Sequence, residues 1–391
     1  MKVTSVEIFD IHCPKRTVWN PVFVRIHTDE GINGIGEAGL AYDLGHSAAA
    51  HMIKEISEAM LLGHDPMQTE ALWSRMLRES FWGLGGGPII YAAMSAIDTA
   101  LWDIKGKALG VPVYQLLGGR VNDKLRTYAS QLQFDWDSEF KALIAPQEYG
   151  EAASKAIAQG YDAVKVDPIM YGADGECFFD RTKLFTQSEL RLFRARLQAI
   201  RDAIGDDADI IFECHSLPGV SSAIQLGELA QEFNCMYFEE PVNYLNSDLH
   251  KKVAEKVNVP IAGGERLYNR WNIKPYMQDM SIDVLQPDIG LCGGYTETKK
   301  VCDYADTFDV RIQAHVCGGP VATAAALHLE TAIPNFLIHE HHTYAIKDWN
   351  RELCIEDPQP VNGNFIVSDT PGIGIHLNDE VVYRSPHMIV K

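Results

Sequence analysis

Ile210-Ile211-Phe212-Glu213, Met236-Tyr237-Phe238-Glu239 and Pro260-Ile261-Ala262-Gly263-Gly264-Glu265 are short apolar runs that each end on a glutamate, and the glutamates stand 26 residues apart. Each run reads as a β-strand, and each interval is long enough for a helical crossover. Strand, helix, strand with carboxylates at the strand ends is how a parallel barrel presents its catalytic face. Three carboxylates from adjacent strands can converge on one hard cation and leave octahedral positions for water and substrate oxygens, which suits Mg²⁺; zinc prefers nitrogen or sulfur donors. Glu213, Glu239 and Glu265 are therefore the expected metal ligands. A single strand-end acid is as easily a helix cap or an ion-pair partner, and it is the equal spacing of three that favours the metal.

The alternation extends in both directions. Strands are predicted at 125–130, 161–167, 208–215, 235–240, 260–265, 282–288, 310–315 and 335–340, with helices at 150–159, 189–204, 221–233, 294–307 and 320–331. Eight parallel strands suit a closed barrel over residues 121–342. The segments 131–149 and 168–188 are longer than barrel connections need and are candidate lids or specificity loops. Residues 1–120 have a different pattern, a small α+β unit. It has antiparallel strands up to about residue 40 and then helices, one of which carries Ala96, Ile97, Ala100, Leu101, Ile104 and Ala108 on one face. Beyond 342 the alternation stops, and strand-like Val381-Val382-Tyr383 is expected to carry segment 343–391 back onto the first unit.

Length and composition set the class: 391 residues with 46% hydrophobic content are ample for a barrel and a smaller companion. A formal net charge of -19 argues against nucleic acid and anionic membranes as partners. An anionic small-molecule substrate would need a local cation to overcome that field. The first ten residues alternate like a strand and lack the apolar core of a secretion signal, and no stretch approaches a membrane span. The eight cysteines show no Cys-x-x-Cys pair or short regular spacing, as expected for buried reduced thiols in the cytoplasm.

Further titratable residues cluster around the same strand ends. His215 lies two residues past Glu213, so on an extended strand both point to one face. Asp288 and His315 close the sixth and seventh predicted strands, where the carboxylate can fix the imidazole tautomer and raise its basicity, as a general base requires. Glu340 ends the eighth strand on the opposite face from His339 and His341, which reads as packing for the two histidines. Lys165 and Asp167 share a face of the second strand. The lysine is either a positive partner for an anionic substrate or half of a barrel-interior ion pair. Gly34-Ile35-Gly36-Glu37-Ala38-Gly39 fits a dinucleotide-binding pattern, but it sits among antiparallel strands and is read as a turn.

These residues together resemble the enolase superfamily, mandelate racemase branch, and within it the sugar-acid dehydratases of the galactonate dehydratase type. The likeness spans nearly the whole chain. It rests on Ala96-Ile97-Asp98-Thr99-Ala100-Leu101-Trp102-Asp103-Ile104-Lys105-Gly106-Lys107, Phe238-Glu239-Glu240-Pro241, Gly264-Glu265, Leu285-Gln286-Pro287-Asp288, His315 and Glu340. The resemblance implies a (β/α)7β TIM-like barrel under a capping domain built from both chain ends, with one Mg²⁺ on Glu213, Glu239 and Glu265. It further implies that His315, oriented by Asp288, removes the proton α to a carboxylate, that His215 protonates the departing 3-hydroxyl, and that Glu340 hydrogen-bonds the enediolate. The loop Lys15 to Asn20, including Trp19, is implied as the substrate reader, with Lys165 and Asp167 as further substrate contacts. A homo-oligomer is expected by the same analogy.

Two positions depart from the pattern. Glu213 stands where these dehydratases more often carry Asp, and Lys165-Val166-Asp167 replaces the two basic residues that racemases place on the second strand. A muconate-type cycloisomerase would carry lysine where this chain has Asp288. The expected activity is dehydration of an acid sugar to its 2-keto-3-deoxy product. The alternatives are an epimerase or racemase on the same scaffold, or a non-catalytic sugar-acid-binding regulatory protein.

Overall fold

In the computed structural model, which describes residues 1–13, 15, 18–177 and 181–391, the chain forms two sheets. Strands β1 (Val3–Asp10), β2 (Val22–Thr28) and β3 (Asn33–Ala38) pair antiparallel, and the C-terminal strand joins β1 on its free edge. Helices α1 (His46–Ile56), α2 (Thr69–Glu79) and α3 (Pro88–Leu109) contribute to the core against this sheet. The contact of α3 with β3 is unusually close. A Cβ on Gly36 would lie 2.0 Å from the Ala96 carbonyl oxygen and one on Gly34 2.1 Å from that of Ala100, so the glycine pattern that mimics a nucleotide loop serves helix packing instead. Gly110 ends α3 in the left-handed region with φ +69°, as its place before Pro112 suggests.

Among the described residues the second sheet contains eight parallel strands: β4 (Leu125–Ser130), β5 (Ala163–Val166), β6 (Asp209–Glu213), β7 (Tyr237–Glu239), β8 (Ile261–Gly263), β9 (Val284–Leu285), β10 (Arg311–Ile312) and β11 (His339–His342). The ring closes where Ile312 N–H donates to the Asn335 carbonyl at 2.8 Å and Leu337 N–H to the Ile312 carbonyl at 2.8 Å. Helices Pro146–Ala158, Gln187–Ile204, Val220–Glu232, Ser247–Ala254, Arg270–Gln278, Gly294–Asp306 and Pro320–Ala332 fill the seven crossovers. The fold is therefore the (β/α)7β barrel expected. β12 (Asn364–Phe365) pairs antiparallel with β4. Among the described residues no helix is long and apolar enough to cross a membrane, and the eight cysteines form no disulfide.

The last fifty residues depart from expectation in detail. Residues Asp379–Val382 form a single helical turn rather than a strand, with Asp379 and Glu380 at its positively polarised N-terminal end. The strand that returns to β1 is β13 (His387–Val390), in register from Phe9↔His387 to Val6↔Val390. Both chain ends thus build the antiparallel sheet.

Candidate metal centre and active site

Register places the acidic cluster. Glu213 and Glu239 are direct partners on β6 and β7, so their carboxylates leave the barrel at one level. β8 stops at Gly263, and Glu265 reaches the same point through a turn in which Gly264 takes φ +136°. One oxygen from each of the three glutamates lies within 4.8 Å of the others, all three residues being buried. Lys165 Nζ sits beneath them, 2.6 Å from Glu239 Oε1, 2.8 Å from Glu340 Oε1 and 3.6 Å from Glu213 Oε2. Gln131 Nε2 donates to Glu213 Oε2 at 2.6 Å, and Arg266 pairs with Glu265 at 2.9 Å and with Glu240.

Whether this set fits a cation can be tested on its hydrogen bonds. Glu239 Oε2 is buried without a hydrogen-bond partner, which for a carboxylate oxygen costs free energy unless a proton or a metal supplies it. Burial pushes Glu239 up to about 8 against the pull of Lys165. Glu265 goes the other way: burial raises it, but Arg266, His315, His215 and Lys165 outweigh that and hold it at about 2. An oxygen-only donor set with one orphaned oxygen fits a hard divalent cation. Such a cation must displace the proton on Glu239, so affinity is expected to climb as pH rises toward about 8 and then level off. Titration calorimetry in buffers of different ionisation enthalpy will report the released proton. Affinity that stays flat from pH 6 to about 9 would remove Glu239 from the ligand set.

Two histidines flank the cluster, each held by an aspartate. His315 Nδ1 donates to Asp288 Oδ2 at 2.7 Å, with Nε2 3.6 Å from Glu265 Oε2. His215 Nδ1 donates to Asp167 Oδ2 at 2.8 Å, with Nε2 3.2 Å from Glu213 Oε1. The aspartates fix the tautomers and turn both Nε2 atoms toward the carboxylates. Burial lowers both histidines, yet Glu213 and the Asp167 bond hold His215 at about 9, and Glu265 and the Asp288 bond hold His315 at about 10. β9 and β10 end sooner than predicted, but a lone parallel bridge pairs Asp288 with His315 beyond them. His215, by contrast, does not continue a strand. It and Ser216 take φ +53° and +58°, so its proximity to Glu213 comes from a left-handed turn, a strain of the kind held at functional sites.

Both histidines, Glu213 and Glu265 line a cavity of about 360 Å³. Its roof includes Leu40, Tyr42 and Pro88 from the N-terminal unit, and its walls include Phe134, Tyr244 and Tyr344 from barrel loops. A cavity with two imidazoles beside an acidic triad is equipped to take a proton from a substrate at one point and give one at another.

A family model described as the enolase C-terminal domain-like region matches residues 148–381, and one for the mandelate racemase/muconate lactonizing enzyme N-terminal domain matches residues 11–118. The chain belongs to the enolase superfamily, in its mandelate racemase/muconate lactonizing enzyme branch. It is an enzyme of that family. The D-galactonate dehydratase of Pectobacterium atrosepticum is 32% identical over 98% of this chain and 94% of its own length, and the D-xylonate dehydratase of Haloferax volcanii is 32% identical over 94% and 85%. A solved enolase-superfamily member from Salmonella Typhimurium is 50% identical, covers both chains fully and superposes with a TM-score of 0.96.

Within this superfamily frame several expected residues take different places. Asp167 is the orienting partner of His215 and also binds Arg181 at 2.8 Å, so it is part of a dyad and does not face the cavity as a substrate contact. Lys165 is the barrel-interior ion pair of the two options, fully buried among carboxylates that hold its proton affinity far above normal against burial. Trp19 is also fully buried. Its ring stacks on Tyr344 at 3.8 Å and its Nε1 donates to Asn350, so it backs the wall of the cavity rather than reading a substrate. Arg16 and Thr17 of the same loop lie outside the described residues. Glu340 accepts from Ser130 Oγ at 2.6 Å and Val316 N–H at 2.9 Å, and although burial raises it, Lys165 and His315 hold it well below the usual carboxylate range. The Glu340 carboxylate thus shares Lys165 with Glu213 and Glu239 at the barrel end. His339 and His341 do pack away from the site, on Glu330 and Tyr161.

Sequence reasoning missed Gln131, Arg181, Arg266 and His342, the last of which lines the cavity from the end of β11. Gln131 (φ +70°) and Arg181 arrive from the long connections flagged as candidate lids, which was the available signal. Arg266 simply follows Glu265, and nothing in the pattern distinguished it.

Proposed function

We propose that this enzyme is a Mg²⁺-dependent hydro-lyase acting on acid sugars, which removes the proton α to the carboxylate and eliminates the 3-hydroxyl to give a 2-keto-3-deoxy acid. The observation that carries this reading is the pair of oppositely placed His–Asp dyads with both Nε2 atoms turned to the acidic cluster. The dehydratase names of full-length relatives support it. Glu213, Glu239 and Glu265 would hold the Mg²⁺, which when bound supplies Lewis-acid stabilisation of negative charge developing on the substrate carboxylate. Against burial, the carboxylate charge of Glu265 is what raises His315 most, and a cation held there would offset it, leaving a neutral imidazole whose Nε2 accepts the C2 proton while Asp288 stabilises the imidazolium formed. His215 Nε2–H gives its proton to the 3-hydroxyl, which leaves as water with the C3–O electron pair. The enol left behind takes a proton at C3 and loses the one on its C2 oxygen, becoming the ketone, and with His315 giving up its proton and His215 regaining one the net change is loss of water. The cap residues Leu40 and Tyr42 exclude water over the reacting carbons. The cysteines without disulfides suit a reducing compartment such as the cytoplasm.

A panel of aldonates, deoxy acids and sugar diacids, offered with Mg²⁺ in D₂O, tests the assignment. At least one aldonate is expected to yield a 2-keto acid, with k_cat/K_M-scale turnover well above the remaining panel. Deuterium wash-in at C2 without 2-keto acid would make the protein an epimerase, and tight binding without either would make it a regulator.

A further inference from the structure

The geometry points to Glu37 as a positioning residue for the general base, reaching from the antiparallel sheet into the barrel; this rests on the assignment of His315 as that base. Glu37 is the fourth residue of the Gly34 to Gly39 run that resembles a nucleotide loop, and it is 2% exposed. Its Oε1 accepts Gly319 N–H at 2.5 Å and its Oε2 accepts Ala322 N–H at 2.8 Å. Gly319 is the N-cap of helix Pro320–Ala332, whose first-turn N–H groups have no partners within the helix. A side-chain carboxyl from another sheet therefore caps this barrel helix, with burial pushing it up to about 8 against the pull of the two N–H donors.

The capped turn is the one that carries the base. His315 lies four residues before Gly319 on the segment His315-Val316-Cys317-Gly318-Gly319. Two residues past Glu37, Gly39 N–H donates to the Gly290 carbonyl at 2.9 Å, and Gly290 N–H in turn donates to Asp288 Oδ1 at 2.7 Å. Glu37 and Gly39 thus grip the loops bearing both halves of the His315–Asp288 dyad. The fit is tight on every side. A Cβ on Gly39 would come within 2.9 Å of Gly290 C, one on Gly290 within 2.8 Å of Gly39 N, and one on Gly318 within 3.0 Å of Glu37 Oε1. The His215–Asp167 dyad, just past the ends of β6 and β5, has no such tether to this strand among the hydrogen bonds of the described residues.

Docking of the N-terminal sheet and alignment of the base are in this view one event, and loosening the tether misplaces His315 Nε2 without touching a substrate contact. Glu37→Gln keeps the shape but puts an NH₂ against one of the two N–H donors, and Glu37→Asp keeps the carboxyl but is one methylene too short to bridge both. In the Mg²⁺-loaded full-length enzyme, k_cat on the best acid sugar is expected to fall ~10- to 100-fold in Glu37→Gln with K_M changed less than about 3-fold, as a misplacement of about 1 Å costs. A readout free of substrate is the downfield proton NMR signal of each Nδ1–H···Asp bond, assigned by its loss in His315→Asn or His215→Asn. The His315 signal is expected to shift or broaden in Glu37→Gln while the His215 signal stays. Glu37→Asp serves if Glu37→Gln fails to fold. Two unchanged signals with unchanged k_cat overturn the proposal, and so do two signals disturbed equally, which would mean a general loosening. Should no acid sugar turn over, the functional reading fails while the NMR comparison still decides the tether.

Discussion

His315→Asn is expected to lower k_cat by at least ~10³-fold and to abolish exchange of the substrate C2 proton with D₂O, whereas His215→Asn should lose dehydration yet keep that exchange. The asymmetry follows from the roles proposed for the two imidazoles. His315 Nε2 lies beside Glu265 and His215 Nε2 beside Glu213, so a substrate held between them meets one group at C2 and the other at the 3-hydroxyl. A positioned acid or base contributes roughly 10²- to 10⁴-fold, and an α proton beside a carboxylate is weakly acidic enough to put the base at the upper end. Asparagine is the informative replacement because its Nδ2–H can still donate to Asp288 or Asp167, which keeps the buried aspartates paired and the fold intact. Exchange measured by NMR, set against 2-keto acid release, separates the two steps. Wild-type turnover in His315→Asn would show that the base is misassigned, and equal loss of exchange in both variants would deny the division of roles.

What could be read from the chain alone was set by periodicity and by chemistry at strand ends. The eight barrel strands were legible because each is an apolar run bounded by turn residues, and the 26-residue spacing of Glu213 and Glu239 survives folding because they are register partners on β6 and β7, whereas Glu239 pairs with Ala262 on β8 and Glu265 reaches the cluster through the turn at Gly264. The C-terminal turn was misread since Val381-Val382-Tyr383 has strand composition while Asn378, Asp379 and Glu380 favour a helix start, a competition that composition alone does not decide. Within the site the failures share one cause: a side chain's neighbours across the barrel are not encoded by its own strand. Asp167 and His215 follow the ends of adjacent strands, yet their pairing depends on the left-handed backbone at His215, which a non-glycine residue gives no hint of. Trp19 was expected at the substrate because the resemblance makes its cap loop the reader, and only the Tyr344 ring stacked between it and the cavity shows otherwise. Glu37 was hidden for a different reason. Its surrounding glycines mimic a known loop, and its partners, Gly319 and Ala322, lie some 280 residues away as backbone donors, which side-chain patterns do not reveal.

The second large effect is expected from Lys165→Met. The ammonium is 1% exposed and stands within 3.6 Å of oxygens on Glu213, Glu239 and Glu340, so it is the buried positive charge that allows these carboxylates to share the barrel end. Removing one partner of a buried ion pair typically costs about 3–5 kcal/mol, because the charges left behind have lost compensation that water cannot replace. In the cation-free protein the melting temperature should therefore drop on the order of 5–10 °C at a fixed scan rate. A divalent cation changes the balance. It supplies to the same oxygens the positive charge the lysine gave, and it no longer competes with an ammonium for Glu239 Oε1. Stabilisation by a bound ligand grows as RT ln(1 + [L]/K_d), about 2.7 kcal/mol at a hundredfold excess over K_d, so saturating Mg²⁺ should restore a large part of the loss. The upward shift with Mg²⁺ should be larger in Lys165→Met than in the wild type. A variant that melts at the wild-type temperature without a cation would mean that Lys165 is not the charge that sets the site.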